Sequence, residues 1–159
     1  MTAAADSAIS VGSPVHVFTY GSLMFAPVWR RVVSGDYRST PALLTGYRRH
    51  RVRGAAYPAL VAVDPDAEPS APALPGVLYL AVDPADLQAL DAFEGADYRR
   101  IRVEVSVAAS AGMPGRLPAD VYLYLAGDRI EPGDWDPGDF ERDRLEPFLA
   151  EHAPASASD

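Results

Sequence analysis

The chain has 159 residues, the size of one domain at roughly 150 residues each and enough to close a single core. Its 14 basic and 22 acidic residues give a formal net charge of −8, so the average field repels nucleic acid. No apolar run approaches the ~18 residues that a membrane-spanning helix needs, which predicts a soluble globular protein. Cysteine is absent, and this excludes disulfides, thiolate nucleophiles and cysteine-ligated metals. Every basic residue is arginine, so Schiff-base lysine chemistry and lysine-bearing phosphate loops are excluded too. His16, His50 and His152 are scattered and none repeats at helical metal-ligand spacing; no bound metal is expected, and only a site assembled with carboxylates stays open. A sequence rich in Ala, Arg, Pro and Asp, without Lys or Asn, suits a GC-rich bacterial genome.

Residues 1–13 are Ala- and Ser-rich, with neither a basic leader nor an apolar stretch. They predict a disordered tail rather than a secretory signal, and hence a cytoplasmic protein. A second tail is expected over residues 153–159, leaving one domain over residues 14–152. Val15 to Tyr20 is a β-rich run that stops at Gly21, and Pro27 to Ser34 follows as a short helix closed by Gly35. Ala42 to Arg53 and Tyr57 to Val63 are predicted strands, with a proline-rich surface loop from Asp64 to Pro75. Gly76 to Val82 is a further strand.

Asp83 and Pro84 make a good helix entry, and that helix runs to Gly95 as its stop signal. Arg99 to Val107 alternates Ile101, Val103, Val105 and Val107 against Arg100, Arg102, Glu104 and Ser106, the pattern of a strand with one face buried. Asp120 to Leu125 is a last strand, and Pro137 to Glu151 a last helix. Strands outnumber helices and are joined by short loops. This predicts an α+β fold, mainly antiparallel, in which a sheet or small barrel carries helices outside.

One helix contains an anomaly. At about 100° per residue, Leu87, Leu90 and Glu94 project within a narrow arc with Phe93 on its flank, so a carboxylate sits in the apolar stripe. It also lies in the last turn, where the helix dipole disfavours negative charge. Desolvation and the dipole both raise its pKa, toward the range useful for moving protons near neutrality. The alternative is a structural ion pair with Arg99 or Arg100, and spacing does not decide between the two.

Tyr20, Gly21, Ser22 and Leu23 form a second feature. Here the chain leaves a strand on glycine and turns toward a helix, so successive N–H groups could cradle a carboxylate or phosphate. The alternative is an ordinary turn with Ser22 as capping hydroxyl. Ser22 lacks the flanking glycines of a nucleophile elbow. Arg49, Arg51 and Arg53 share one face of a strand and read as a solvated face paired with acidic neighbours. Asp134, Asp136 and Asp139 superficially suggest a calcium loop, but Leu145 stands where the bidentate glutamate belongs.

Together the runs Val17-Phe18-Thr19-Tyr20-Gly21-Ser22-Leu23-Met24, Tyr57-Pro58-Ala59-Leu60-Val61 and Leu90-Asp91-Ala92-Phe93-Glu94-Gly95, followed by Tyr98-Arg99-Arg100, resemble the γ-glutamylcyclotransferase-like family, in its AIG2-like branch. The resemblance covers roughly residues 15–150. It implies a compact mixed β-barrel flanked by helices, with a cavity between the first strand-loop and the glutamate helix. It assigns Tyr20, Gly21, Ser22 and Leu23 to substrate binding, Glu94 to acid/base catalysis and Tyr98 to the pocket wall. Trp135 and Phe140 would either extend an aromatic wall or pack the core.

The chemistry implied is cyclisation of a small γ-glutamyl compound to 5-oxoproline with release of an amine or amino acid, without metal or cofactor. Removal of a γ-glutamyl protecting group in specialised metabolism, or ligand binding without catalysis, are the other readings on the same fold.

Overall fold

The computed structural model describes residues 13–64, 66–108, 112 and 115–151; the tail predicted over residues 153–159 and all but Ser13 of the tail predicted over residues 1–13 lie outside them. Strand β1 (Val15–Thr19) leads through a 3-10 turn (Ser22–Met24) into helix α1 (Ala26–Val32). Strands β2 (Ser39–Leu44), β3 (Tyr47–Val52), β4 (Pro58–Ala62) and β5 (Leu74–Val82) follow, then helix α2 (Pro84–Glu94). The chain continues through β6 (Tyr98–Val107), β7 (Arg116–Tyr124) and a two-residue β8 (Ile130–Glu131). It closes with α3, which starts at Pro137–Asp139, passes through a π-helical stretch (Phe140–Arg144) and ends at Leu145–Glu151.

Five strands close a barrel in the order β1-β5-β2-β6-β7, and β4-β3-β8 form a separate three-stranded sheet. Within the barrel only β1 and β7 run parallel, meeting at Val17 and Asp120. The architecture is therefore the expected α+β barrel with flanking helices. One predicted element is wrong. Ala42 to Arg53 is not a single strand, because Gly46, at φ +87°, takes a left-handed turn that only glycine adopts cheaply. β2 stays in the barrel while β3 leaves for the second sheet.

Two apolar cores result. Phe18, Leu44, Leu60, Leu78, Val105 and Val121 fill the barrel, and the alternation of β6 supplies its share of that face. Val17, Trp29, Tyr79, Leu87, Leu90 and Phe140 pack the helices onto the outside, with Trp29 stacked on Tyr79 at 3.6 Å between ring centroids. Gly76 is where two strands cross closely: a Cβ there would lie 2.2 Å from the Thr19 carbonyl oxygen.

Helix α2 carries the predicted caps. The Asp83 carboxylate accepts from the Asp86 N–H at 2.9 Å, Pro84 occupies the first turn, and Gly95 ends the helix at φ +77°. Asp86 in turn accepts from the Ser34 and Gly35 N–H groups at 2.8 and 3.0 Å and from the Tyr37 hydroxyl at 2.6 Å. That buried carboxylate fixes the start of α2 against the end of α1, and so fixes where the far end of α2 falls. Among the described residues no helix is long and apolar enough to cross a membrane.

Candidate active site

The residues just after β1 border a narrow cavity that opens to solvent. Tyr20, Gly21, Ser22 and Leu23 line it together with Glu94, Tyr98 and Tyr122, and Tyr57 and Pro58 complete the lining. A second, roomier compartment of about 190 Å3 shares Ser22, Tyr57, Glu94 and Tyr98 with the first and adds Phe93 and Phe148. Glu94 thus stands on the boundary between the two. All six residues singled out as site residues from the sequence meet here. Thr19, Tyr57, Pro58, Tyr122 and Phe148 were missed.

Glu94 is half-buried, and among the described residues no hydrogen bond or ion pair reaches its carboxylate. Burial, and then the charge of Asp91, push its pKa up to about 8. The ion pair that the structural alternative required does exist, but another residue makes it. Arg100 donates from Nε and Nη2 to the two oxygens of Asp91 at 2.8 and 3.1 Å and from Nη1 to buried Asp120 at 2.6 Å. Arg102 completes the network with a 2.6 Å bond to Asp120. Arg99, on the opposite face of β6, is exposed.

Of the four tyrosines that border the cavity, three have their hydroxyl protons committed elsewhere. Tyr20 donates to the Tyr122 carbonyl, Tyr98 to the Pro58 carbonyl and Tyr122 to Asp91 Oδ1, each at 2.7 Å. None of them lends a proton to Glu94. Burial holds all three above the ordinary phenol range, with neighbouring negative charge adding to it. They are neutral across any working pH, so Glu94 is the titratable group of this cavity that changes state near neutrality.

The turn after β1 is pinned from several sides. Gly21 has no room for a side chain, because a Cβ would lie 2.7 and 2.8 Å from Cδ and Cγ of Pro58. The close approach that requires glycine is therefore made by Pro58. The 3-10 turn is capped by Gly21, which has no side chain to bond with, so Ser22 is not its N-cap. The Gly21 and Ser22 carbonyls accept from the Met24 and Phe25 N–H groups, whereas the N–H groups of Gly21, Ser22 and Leu23 take no acceptor among the described residues. Tyr79 donates to the Leu23 carbonyl at 3.2 Å.

Arg49 corrects the reading of the arginine strand. It is only 6% exposed, and its Nε and Nη2 bind Asp134 at 2.8 and 3.1 Å. Its Nη1 donates to the Tyr20 carbonyl at 2.9 Å. Arg51 and Arg53 are exposed, as a solvated face requires. Trp135 and Phe140 belong to the packing reading: Trp135 donates to the Ala56 carbonyl at 2.7 Å, and both rings border a different groove. Among the described residues no cluster of three His, Cys, Asp or Glu side chains could hold a metal ion.

A glycine turn on a barrel strand facing an unpartnered glutamate at a helix end defines a class of small barrel proteins. Residues 17–137 match the family described as Gamma-glutamyl cyclotransferase, AIG2-like, and the chain belongs to that family. Protein AIG2 C of Arabidopsis thaliana is 30% identical over 124 residues, covering 76% of this chain and 68% of that protein. AIG2-like protein D of the same plant is 28% identical over 134 residues, covering 84% and 83%.

Among solved structures, an Arabidopsis thaliana protein determined in solution superposes with a TM-score of 0.62 at 26% identity, over 86% of this chain and 78% of that one. A yeast gamma-glutamyl cyclotransferase specific to glutathione superposes at 0.57 with 18% identity, over 87% and 88%. That second likeness shows the fold alone.

Proposed function

We propose that the protein is a cyclotransferase that converts a small γ-glutamyl compound to 5-oxoproline and a free amine or amino acid, with Glu94 as general acid/base. The observation that carries this reading is an unpartnered carboxylate, its pKa pushed up to about 8 by burial, lining the same cavity as a turn with three unused backbone N–H groups.

In this mechanism the substrate's α-ammonium lies against Glu94. The raised pKa of Glu94 brings its proton affinity closer to that of an amine, a match that favours general acid/base transfer. The freed amine attacks the γ-carbonyl carbon of the same molecule, and a five-membered lactam C–N bond forms. Glu94 delivers this proton to the original amide nitrogen as its C–N bond breaks, then takes the second proton that the ring nitrogen still carries and passes it to the released amine, leaving a neutral lactam and an ammonium. Because attack is intramolecular, the protein mainly has to hold the bent substrate and relay protons from the attacking to the departing nitrogen. Gly21, Ser22 and Leu23 supply N–H donors for substrate oxygens, and Tyr20 and Tyr98 shape the wall. The glutamyl part occupies the compartment beside Tyr20. The leaving group extends past Phe93 and Phe148.

The test is a panel of γ-glutamyl amino acids, γ-glutamyl amines and glutathione, with 5-oxoproline followed by mass, before and after exhaustive chelation. Formation from at least one compound, undiminished by chelation, is expected. Binding without 5-oxoproline would instead support a non-catalytic binding domain, and loss on chelation restored by zinc or manganese would sink this mechanism.

A further inference from the structure

Arg49 is a charged side chain buried behind the cavity wall, and neither the cyclisation chemistry nor the barrel accounts for it. It reaches no part of the cavity. All of its directional contacts point at two things: Asp134, bound by the Nε/Nη2 fork, and the carbonyl of Tyr20. The ring of Trp135 lies 5.3 Å from the guanidinium carbon and covers it on one face. Asp134 is 63% exposed, so the pair is anchored from the surface while its working end is buried. Burying a cation against a backbone carbonyl costs desolvation, and a hydrophobic residue would fill the same space more cheaply.

The carbonyl it holds belongs to the peptide that joins Tyr20 to Gly21. That peptide is trans, so its C=O and N–H point in opposite directions. Fixing the oxygen toward Arg49 fixes the Gly21 N–H away from it, and Gly21 borders the cavity whereas Arg49 does not. A peptide next to glycine otherwise rotates with little resistance. A guanidinium on the oxygen also polarises the peptide and strengthens its N–H as a donor.

We propose that Arg49 is a positioning residue that locks the Tyr20–Gly21 peptide so that the Gly21 N–H donates to the oxyanion that forms at the substrate's γ-carbonyl. This rests on the cyclotransferase reading for the identity of the acceptor. The orientation of the peptide does not depend on it.

The experiment compares Arg49→Met, Arg49→Lys and, as a neighbouring control, Arg48→Met, whose exposed side chain pairs with Glu68. Because the oxyanion exists only during reaction, kcat for 5-oxoproline formation should fall about 100-fold in Arg49→Met with KM nearly unchanged. Arg49→Lys should be intermediate, and Arg48→Met equal to the parent. Free guanidinium should restore part of kcat in Arg49→Ala.

The orientation is read separately, without ligand, from the N–H residual dipolar coupling of Gly21, which should differ between parent and Arg49→Met. If Arg49→Met does not fold, Asp134→Asn weakens the fork while keeping the cation and should lower kcat several-fold. A folded Arg49→Met with parental kcat, a loss confined to KM, or an unchanged Gly21 coupling would each overturn the proposal. If the parent forms no 5-oxoproline from any compound, the function reading fails, and the Gly21 coupling still judges the role of Arg49 in orienting the peptide.

Discussion

Asp91 and Glu94 lie three residues apart on the same helix, close enough to share a face, yet they live in opposite surroundings. Asp91 receives two bonds from Arg100 and one from Tyr122. Burial alone would raise its pKa, but those donors outweigh burial and hold it below the ordinary carboxylate value. Glu94 receives none, and burial together with the charge of Asp91 drives it up to about 8. One carboxylate ties α2 to β6 and β7, and the other is left able to exchange a proton. Two titratable groups pushed apart in this way mark a division of labour, and the satisfied one helps create the reactive one.

The largest expected effect comes from Glu94→Gln. It keeps the shape of the side chain and removes the proton-transfer group, so 5-oxoproline formation should fall by at least ~100-fold. Its stability should diverge from the parent in a defined pH window. The folded pKa of about 8 is raised above the ordinary 4.5, so the contribution of Glu94 is fully present below about 4.5 and is lost as pH rises through 8. The variant should therefore match the parent in acid and exceed it at pH 9, by on the order of 2 kcal/mol, since water at the cavity mouth recovers part of the carboxylate's solvation. Melting curves and turnover on this one variant test both halves. A destabilised protein with normal turnover would reverse the roles of the two carboxylates.

Much of this division is legible in the sequence, and the part that is not has an identifiable cause. The caps Asp83 and Gly95 frame α2 by local rules, and Glu94 stands out because it breaks two of them at once. The arginines after the helix are equally visible. Which carboxylate receives Arg100 depends on the alternation of β6, which sends Arg100 toward α2 and Asp120 while Arg99, on the other face, is exposed at the start of the strand. Arg49 is harder still: its partner lies 85 positions along the chain, so nothing local separates it from Arg51. The split between β2 and β3 turns on a single left-handed glycine that strand propensity overrides on paper.

A second effect, smaller than the first, should follow from Asp91→Asn. It removes the negative charge that contributes to the raised pKa of Glu94, while leaving the desolvation that contributes more. The rising limb of kcat/KM against pH, expected near 8 in the parent, should move to lower pH without reaching the ordinary carboxylate range. Arg100 loses its bidentate partner but keeps Asp120. Both ends of the Asp91–Arg100 pair are part-exposed, so the stability cost should be about 1–2 kcal/mol by denaturant titration. A limb that stays in place would show that the charge of Asp91 does not reach Glu94.

The smallest effect tests whether the support of Asp91 can be weakened without touching the chemistry. Tyr122→Phe deletes one 2.7 Å donor to Asp91 Oδ1 and leaves the Tyr122 carbonyl in place for the Tyr20 hydroxyl. Asp91 should then be held less far below its ordinary value of 3.8, because two of its three donated bonds remain. A lowered carboxylate pKa contributes stability that is present above the ordinary value and lost as pH falls through the folded value. The variant should accordingly lose about 1 kcal/mol at neutral pH, and the gap to the parent should close in strong acid. Turnover at the optimum should remain within a few-fold of the parent, since Glu94 and the Gly21 turn are untouched. A ~100-fold collapse in turnover would mean that the Tyr122 hydroxyl meets the reacting atoms itself, and the boundary between a structural and a chemical carboxylate would have to be redrawn around it.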